Sequence, residues 1–377
     1  MLKCFTQFFI SVMLSLIKKI GGVPTGRAIR SKSSPGLPFR TVRAVGFPLL
    51  SLTQYAGVQL KHHSNRMAEF YPIPAKTNIA IILLCTVFYA LLFYAGIHTH
   101  TFSYKLLLAL AFGIIMIPVY SLMHEAAHNT LHPKSSLNIF WARWLCCLFI
   151  VSFHFFRHCH LKHHKKNRTD EEMWDLYYEH QNKWLRYGNL YVMMIGAGYL
   201  ALWLSVILFA FAPGLVNSKL FKRHTEIRGF LEGSDEVFKL RTCQSESLFV
   251  LAVQVGLLWL LGWDFATWIL FYLVHGFIWS SQNYVNHAFS PRQIINGAHN
   301  LKVPFWLKFI YLNFNIHLAH HQHPKIPWLY LPEFIKSGKD RISFFKNYIR
   351  LWKGPILTVE HSPKAVTDKL GEKVEET

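Results

Sequence analysis

The stretch "LMHEAAHNTLH" places His124 and His128 around Glu125 in the order H-E-x-x-H. On a helix, residues four apart project from one face, about 40° apart, so both imidazoles can reach one metal ion. With a glutamate as general base, that pattern is the mark of zinc hydrolases. Two further groups are denser. "RHCHLKHHKKN" sets His160, His163 and His164 as H-x-x-H-H, and "NIHLAHHQHP" repeats it with His317, His320 and His321. In each triplet the first and last histidines align at i and i+4, while the middle one points aside by about 100°. One triplet can therefore offer two ligands to one metal and one to another. Between the triplets, "QNYVNHAF" spaces Asn283 and His287 by four.

A zinc hydrolase needs three protein ligands and a water, which would leave both triplets and His287 without a task. Membrane-embedded zinc proteases also pair the motif with a downstream Asp-Gly, and the chain contains no such dipeptide. The nine histidines are too many for one ion and point to a two-metal site. Neutral imidazole suits Fe, Zn, Cu or Ni. Glu125 is then expected to accept a hydrogen bond from a ligand imidazole. An isolated histidine near a membrane surface is ordinarily an interfacial polar residue. That reading covers His62, His63, His98, His100, His180, His224, His275 and His299, and also His132, His154, His158 and His323.

The elements that must position these groups are apolar. The 377 residues are 52% hydrophobic and 16% aromatic, with a mean hydropathy of +0.21. Crossing a bilayer takes roughly 20 apolar residues. Asn78–Ile97, Leu106–Met123, Leu190–Phe211, Leu248–Trp263 and Phe265–Ser281 are the candidates. The six cysteines include no C-x-x-C pair, so neither a disulfide framework nor a zinc finger is readable.

Half of the net charge of +20 lies in residues 1–66, which hold ten Lys/Arg and no Asp or Glu. Such a leader resembles an organelle transit peptide or an upstream extension before Met67. The catalytic region is expected over 67–350, with a polar tail over 351–377. Basic residues beside apolar spans set topology rather than bind nucleic acid. Lys and Arg crowd 132–188 and are absent from the turns "GIHTHTFSY" and "GWDF", which puts the basic loop in the cytoplasm. All histidine clusters share that face only if Leu190–Val216 dips in and returns, with the glycines of "MIGAGYL" at its turn. The expected fold is therefore an all-α, multi-pass integral membrane protein. It has about four transmembrane helices, a re-entrant or interfacial helical segment, and a cytoplasmic histidine-rich cap.

The three clusters resemble the histidine boxes of the membrane fatty acid desaturase superfamily in order, spacing and membrane context, from about Asn78 to Pro332. Asn283 and His287 are similar to the N-x-x-x-H that acyl-CoA desaturases carry after their last span. The resemblance implies that His124, His128, His160, His163, His164, His287, His317, His320 and His321 hold two iron ions, with Asn283 contacting the metal through water. It implies O2 as co-substrate and a double bond introduced into a fatty acyl chain. Lipid or carotenoid hydroxylases and ketolases share the motifs and are the alternative. No ferredoxin-like cysteine set, flavin fingerprint or haem domain is readable, so electrons are expected from a separate ferredoxin or cytochrome. The stretch "KHHKKNR" is a candidate docking loop for such a carrier. Ion transport is disfavoured, because the histidines fall in loops rather than within spans.

Overall fold

The computed structural model describes residues 70–217, 240–335 and 341–366. The basic leader 1–66 and the end of the polar tail lie outside them. Helix α1 (Ala75–Ile97) is apolar on every side. It turns Ile82, Cys85, Tyr89 and Phe93 inward and leaves Leu83, Leu84, Val87 and Leu91 exposed, as a lipid-facing helix does. Helix α2 (Phe102–Ala127) is the central post, packed against α1 on one side. It carries Pro118 in its interior, which neighbouring helices tolerate in an apolar span.

Helices α3 (Ser135–Phe149) and α4 (Phe153–Lys166) meet at a 95° bend. Ile150 makes the turn with a left-handed φ of 59°. Helix α5 (Lys183–Val192) passes through a wide turn at Met193–Ala197 into α6 (Gly198–Phe211). Next come α7 (Leu240–Leu260) and α8 (Phe265–Asn283), the latter packed along α2. The short helices α9 (Phe305–Tyr311), α10 (His317–Gln322) and α11 (Phe344–Trp352) complete the cap. A two-residue parallel pairing of β1 (Leu176–Tyr177) with β2 (Ile356–Leu357) ties the cap's ends together.

Among the described residues, four helices are long and apolar enough to cross a membrane: α1, α2, the continuous run Lys183–Phe211, and α7. The number agrees with the sequence reading, but the membership differs. The run through "MIGAGYL" is continuous from Lys183 to Phe211. Its glycines form a kink at Gly196, with φ +125°, where an added Cβ would lie 3.8 Å from the Gly276 carbonyl carbon. Residues 183–211 form one 29-residue element of spanning length, so the expected dip is not seen there. The sharply bent pair is α3–α4, which the sequence reading placed in the cytoplasmic loop. Helix α8 falls outside the four; its C-terminal half carries His275, Ser280, Ser281, Gln282 and Asn283, facing protein more than lipid.

The core between α1, α2 and α8 is aromatic. Phe93 packs edge-on to Phe112 and tilted against Phe271, with ring centroids 5.3 and 4.9 Å away. The Tyr89 and Tyr272 hydroxyls are 2.8 Å apart, so two buried polar tips satisfy one another. This rigid packing holds the ends of α2 and α8 beside each other, and the histidines lie at those ends.

Candidate metal centre

The last turn of α2 delivers His124, and His128 caps the helix with Asn129 beyond it in a left-handed conformation. Helix α4 delivers His160, His163 and His164; α10 delivers His317, His320 and His321. His287 follows α8 by four residues. All nine come together in two groups. His124, His128, His160, His164 and His320 place their ring nitrogens within 4.8 Å of one another, and so do His163, His287, His317 and His321. Each triplet divides as the helical period dictates, with i and i+4 in one group and the middle histidine in the other. His128 is half-buried and the other eight are buried.

The donor atoms face inward. His160 Nε2 lies 2.6 Å from His128 Nε2 and 3.1 Å from His164 Nε2, and His164 Nε2 is 3.0 Å from His320 Nε2. In the second group, His287 Nδ1 donates to the Gly297 carbonyl at 2.9 Å and His163 Nδ1 to Glu172 Oε2 at 3.4 Å. A neutral imidazole has one N–H. Both Nε2 atoms therefore carry lone pairs, and they face each other at 3.2 Å. His124 Nε2 and His321 Nε2 are buried with no partner at all. Burial, reinforced by neighbouring imidazoles, pushes His317, His320 and His321 well below the ordinary imidazole value. The same causes depress His287. Neutral buried rings whose nitrogens converge are a cation-binding arrangement, and all-imidazole donors fit a transition metal such as iron.

Asn283 lies beside the second group, lining a cavity with His163, His287 and His317. His158 is buried but belongs to neither group, as do His132, His154 and His323. The expected role of Glu125 is not seen. Its carboxylate accepts from Thr130 Oγ1 at 2.8 Å and from the Trp328 backbone N–H at 3.0 Å. It stays 3.9 Å from His124 Nδ1, so it braces the turn after α10 rather than an imidazole.

Glu172 takes the imidazole-bracing role instead, and sequence reasoning missed it. The signal was present: "TDEEMWD" is an acidic run inside an otherwise basic loop. Asp175, from the same run, pairs with the fully buried Arg168 at 2.7 Å. Arg168 also reaches the Tyr284 hydroxyl at 2.8 Å and the Ser290 carbonyl at 2.9 Å. Asp175 accepts the Phe289 backbone N–H as well. Together they clamp residues 284–290, which carry His287. Burial alone would raise the Asp175 carboxyl, but the Arg168 guanidinium beside it holds it below the usual carboxylate value. Gly297 has no room for a side chain: a Cβ there would sit 2.1 Å from the Gln293 carbonyl and 2.4 Å from Arg168 Cγ.

A comparison with curated proteins finds no match to the chain. The family model described as fatty acid desaturase matches residues 102–337, a span that begins with α2 and holds every histidine of both groups. On that match, and with two buried imidazole clusters at the ends of apolar helices, the chain belongs to the fatty acid desaturase family.

Proposed function

We propose that the protein is a multi-pass membrane oxidoreductase that uses O2 to introduce a double bond into a fatty acyl chain. The observation carrying this reading is the pair of buried all-histidine groups inside a chain of the desaturase family. His124, His128, His160, His164 and His320 would hold one iron. His163, His287, His317 and His321 would hold the other, with Asn283 beside it through water. Two irons bound there would supply the oxidising power, fed by O2 and electrons, that removes two hydrogens from an unactivated hydrocarbon segment.

The chain's own residues prepare that chemistry. Glu172 and the Gly297 carbonyl fix the tautomers of His163 and His287, so each presents Nε2 as a lone pair. Phe156, stacked parallel to His160 at 6.2 Å, and Phe314, edge-on to His124 at 5.1 Å, give the first group apolar neighbours. Tyr120, Trp174 and Phe314 line the apolar side of the cavity whose other walls are His160, His163, Glu172, Asn283, His287 and His317.

The Lys/Arg excess of 132–188 supports a cytoplasmic active site. The same loop offers a docking face for a separate ferredoxin or cytochrome. The test is expression from Met67 in a host with simple lipids and carotenoids, followed by mass spectrometry of the extracts. Desaturation appears as a lipid lighter by two hydrogens. A lipid or carotenoid heavier by one oxygen instead would replace this reading with hydroxylation, and one that gains an oxygen and loses two hydrogens with ketolation.

A further inference from the structure

A second cavity adjoins the first. Tyr120, Asn283 and Phe314 line both, and the second continues between α2 and α8 past Ile117 and Trp279 to His275. From Asn283 back to His275 is two turns of α8, about 12 Å at the helical rise. The accessible wall is mostly apolar, as a hydrocarbon chain requires, and of the polar side chains that line it, Ser121, Gln282 and Asn286 among them, two stand without partners toward its far end. His275, 1% exposed, has no hydrogen-bond partner at either ring nitrogen, and Trp279, 3% exposed, has none at Nε1. The sequence reading of His275 as an interfacial residue therefore does not hold. Its ring is enclosed by Phe112, Phe149 and Tyr199, all edge-on within 6.1 Å. Toward His317, Asn315 gives its Nδ2 to the Leu301 carbonyl at 2.8 Å and keeps an unpartnered Oδ1 in the same cavity.

An unpaired buried polar group is costly because it has lost its hydrogen bonds to water, and a plain hydrocarbon chain would relieve none of that cost. His275 and Trp279 are four residues apart, so they share a face of α8. The indole N–H is a donor only, whereas neutral imidazole offers one donor and one acceptor. A hydroxyl group answers both, accepting from Trp279 Nε1 and donating to the free nitrogen of His275. Resting on the acyl-chain reading above, we infer that this cavity selects a chain bearing a hydroxyl group along its length, with Trp279 and His275 as the specificity-determining residues. The chain would enter past Asn283 with its oxidised segment beside the histidines and its hydroxyl two helical turns deeper.

The test is a retention competition with the purified full-length, metal-loaded protein. It is offered an unsubstituted long acyl chain together with a panel of otherwise identical chains carrying one hydroxyl at successive carbons. Bound lipid is then counted by mass spectrometry. One positional isomer is expected to be retained about tenfold over the unsubstituted chain, the factor that one well-made hydrogen bond supplies. His275→Phe and Trp279→Phe, measured singly, should each bring that ratio close to one while the unsubstituted chain is still held. Equal retention by the unaltered protein, the outcome if a water molecule satisfies these groups, overturns the hydroxyl inference and leaves desaturation standing. Retention of neither chain overturns the acyl-chain reading itself.

Discussion

Glu246 of α7 accepts the backbone N–H of His154 at 2.9 Å, and its other oxygen meets His154 Nδ1 at 2.6 Å. The same carboxylate takes Ser152 Oγ at 2.8 Å and Arg143 Nε at 2.7 Å. A buried acid in a long apolar helix thus caps the helix that carries His160, His163 and His164, at the end where the macrodipole favours negative charge. Glu246→Ala is expected to destabilise the chain by about 3 kcal/mol and to lower metal content. Thermal unfolding and elemental analysis check both effects.

The close packing at Gly297 predicts a local failure. Gly297→Ala must displace the Gln293 carbonyl or Arg168, and either shift moves the Gly297 carbonyl off His287 Nδ1. Activity should be lost, and bound metal should fall from about two ions toward one, because only the group containing His287 is disturbed. Unchanged stoichiometry with full activity would show that the backbone yields there.

The Arg168–Asp175 pair predicts a pH signature. Asp175→Asn leaves a fully buried guanidinium without its counter-charge, which should cost about 3–5 kcal/mol. The Asp175 carboxyl is held below its ordinary value in the folded chain, so the unfolded chain binds the proton first as pH falls. The stability gap between the unaltered protein and the variant should be constant above about pH 4. It should shrink as pH drops from there through the lower folded value. Denaturant titrations across acidic pH read it directly.

Neighbouring histidines of the second cluster should behave differently. His160→Ala removes a nitrogen that lies 2.6 Å from His128 and 3.1 Å from His164, so metal and activity should both be lost. His158 is buried outside both groups. His158→Ala should lower stability by about 1–3 kcal/mol while metal content is retained. His132→Ala and His323→Ala should leave both unchanged. An inactive, metal-free His158→Ala beside an active His160→Ala would reverse the assignment.

The metal content itself follows from the donor set. Purified protein should hold about two irons per chain, and chelation should abolish activity until iron is restored. Stoichiometric zinc with full activity under anaerobic conditions would sink the proposal, because zinc has no redox chemistry.

Local spacing carried much of this from the sequence alone. In H-x-x-H-H the helical period assigns two histidines to one direction and one to another, and His160, His163 and His164 divide that way, as do His317, His320 and His321. That division needs only the 3.6-residue turn, so it is legible without a fold. Runs of apolar residues likewise announced the long helices. Tertiary structure decided what spacing cannot encode. Glu172 rather than Glu125 braces an imidazole, because loop closure after α4 aims Glu172 at His163, while Glu125 is taken up by Thr130 and Trp328. The glycines of "MIGAGYL" yield a kink at Gly196, where an added Cβ would meet the backbone of Gly276 eighty residues away in the chain. His275, indistinguishable in sequence from an interfacial histidine, is enclosed by aromatic rings from three other helices. Contacts between residues far apart in the chain are set by how helices pack, and packing is a property of the whole assembled core.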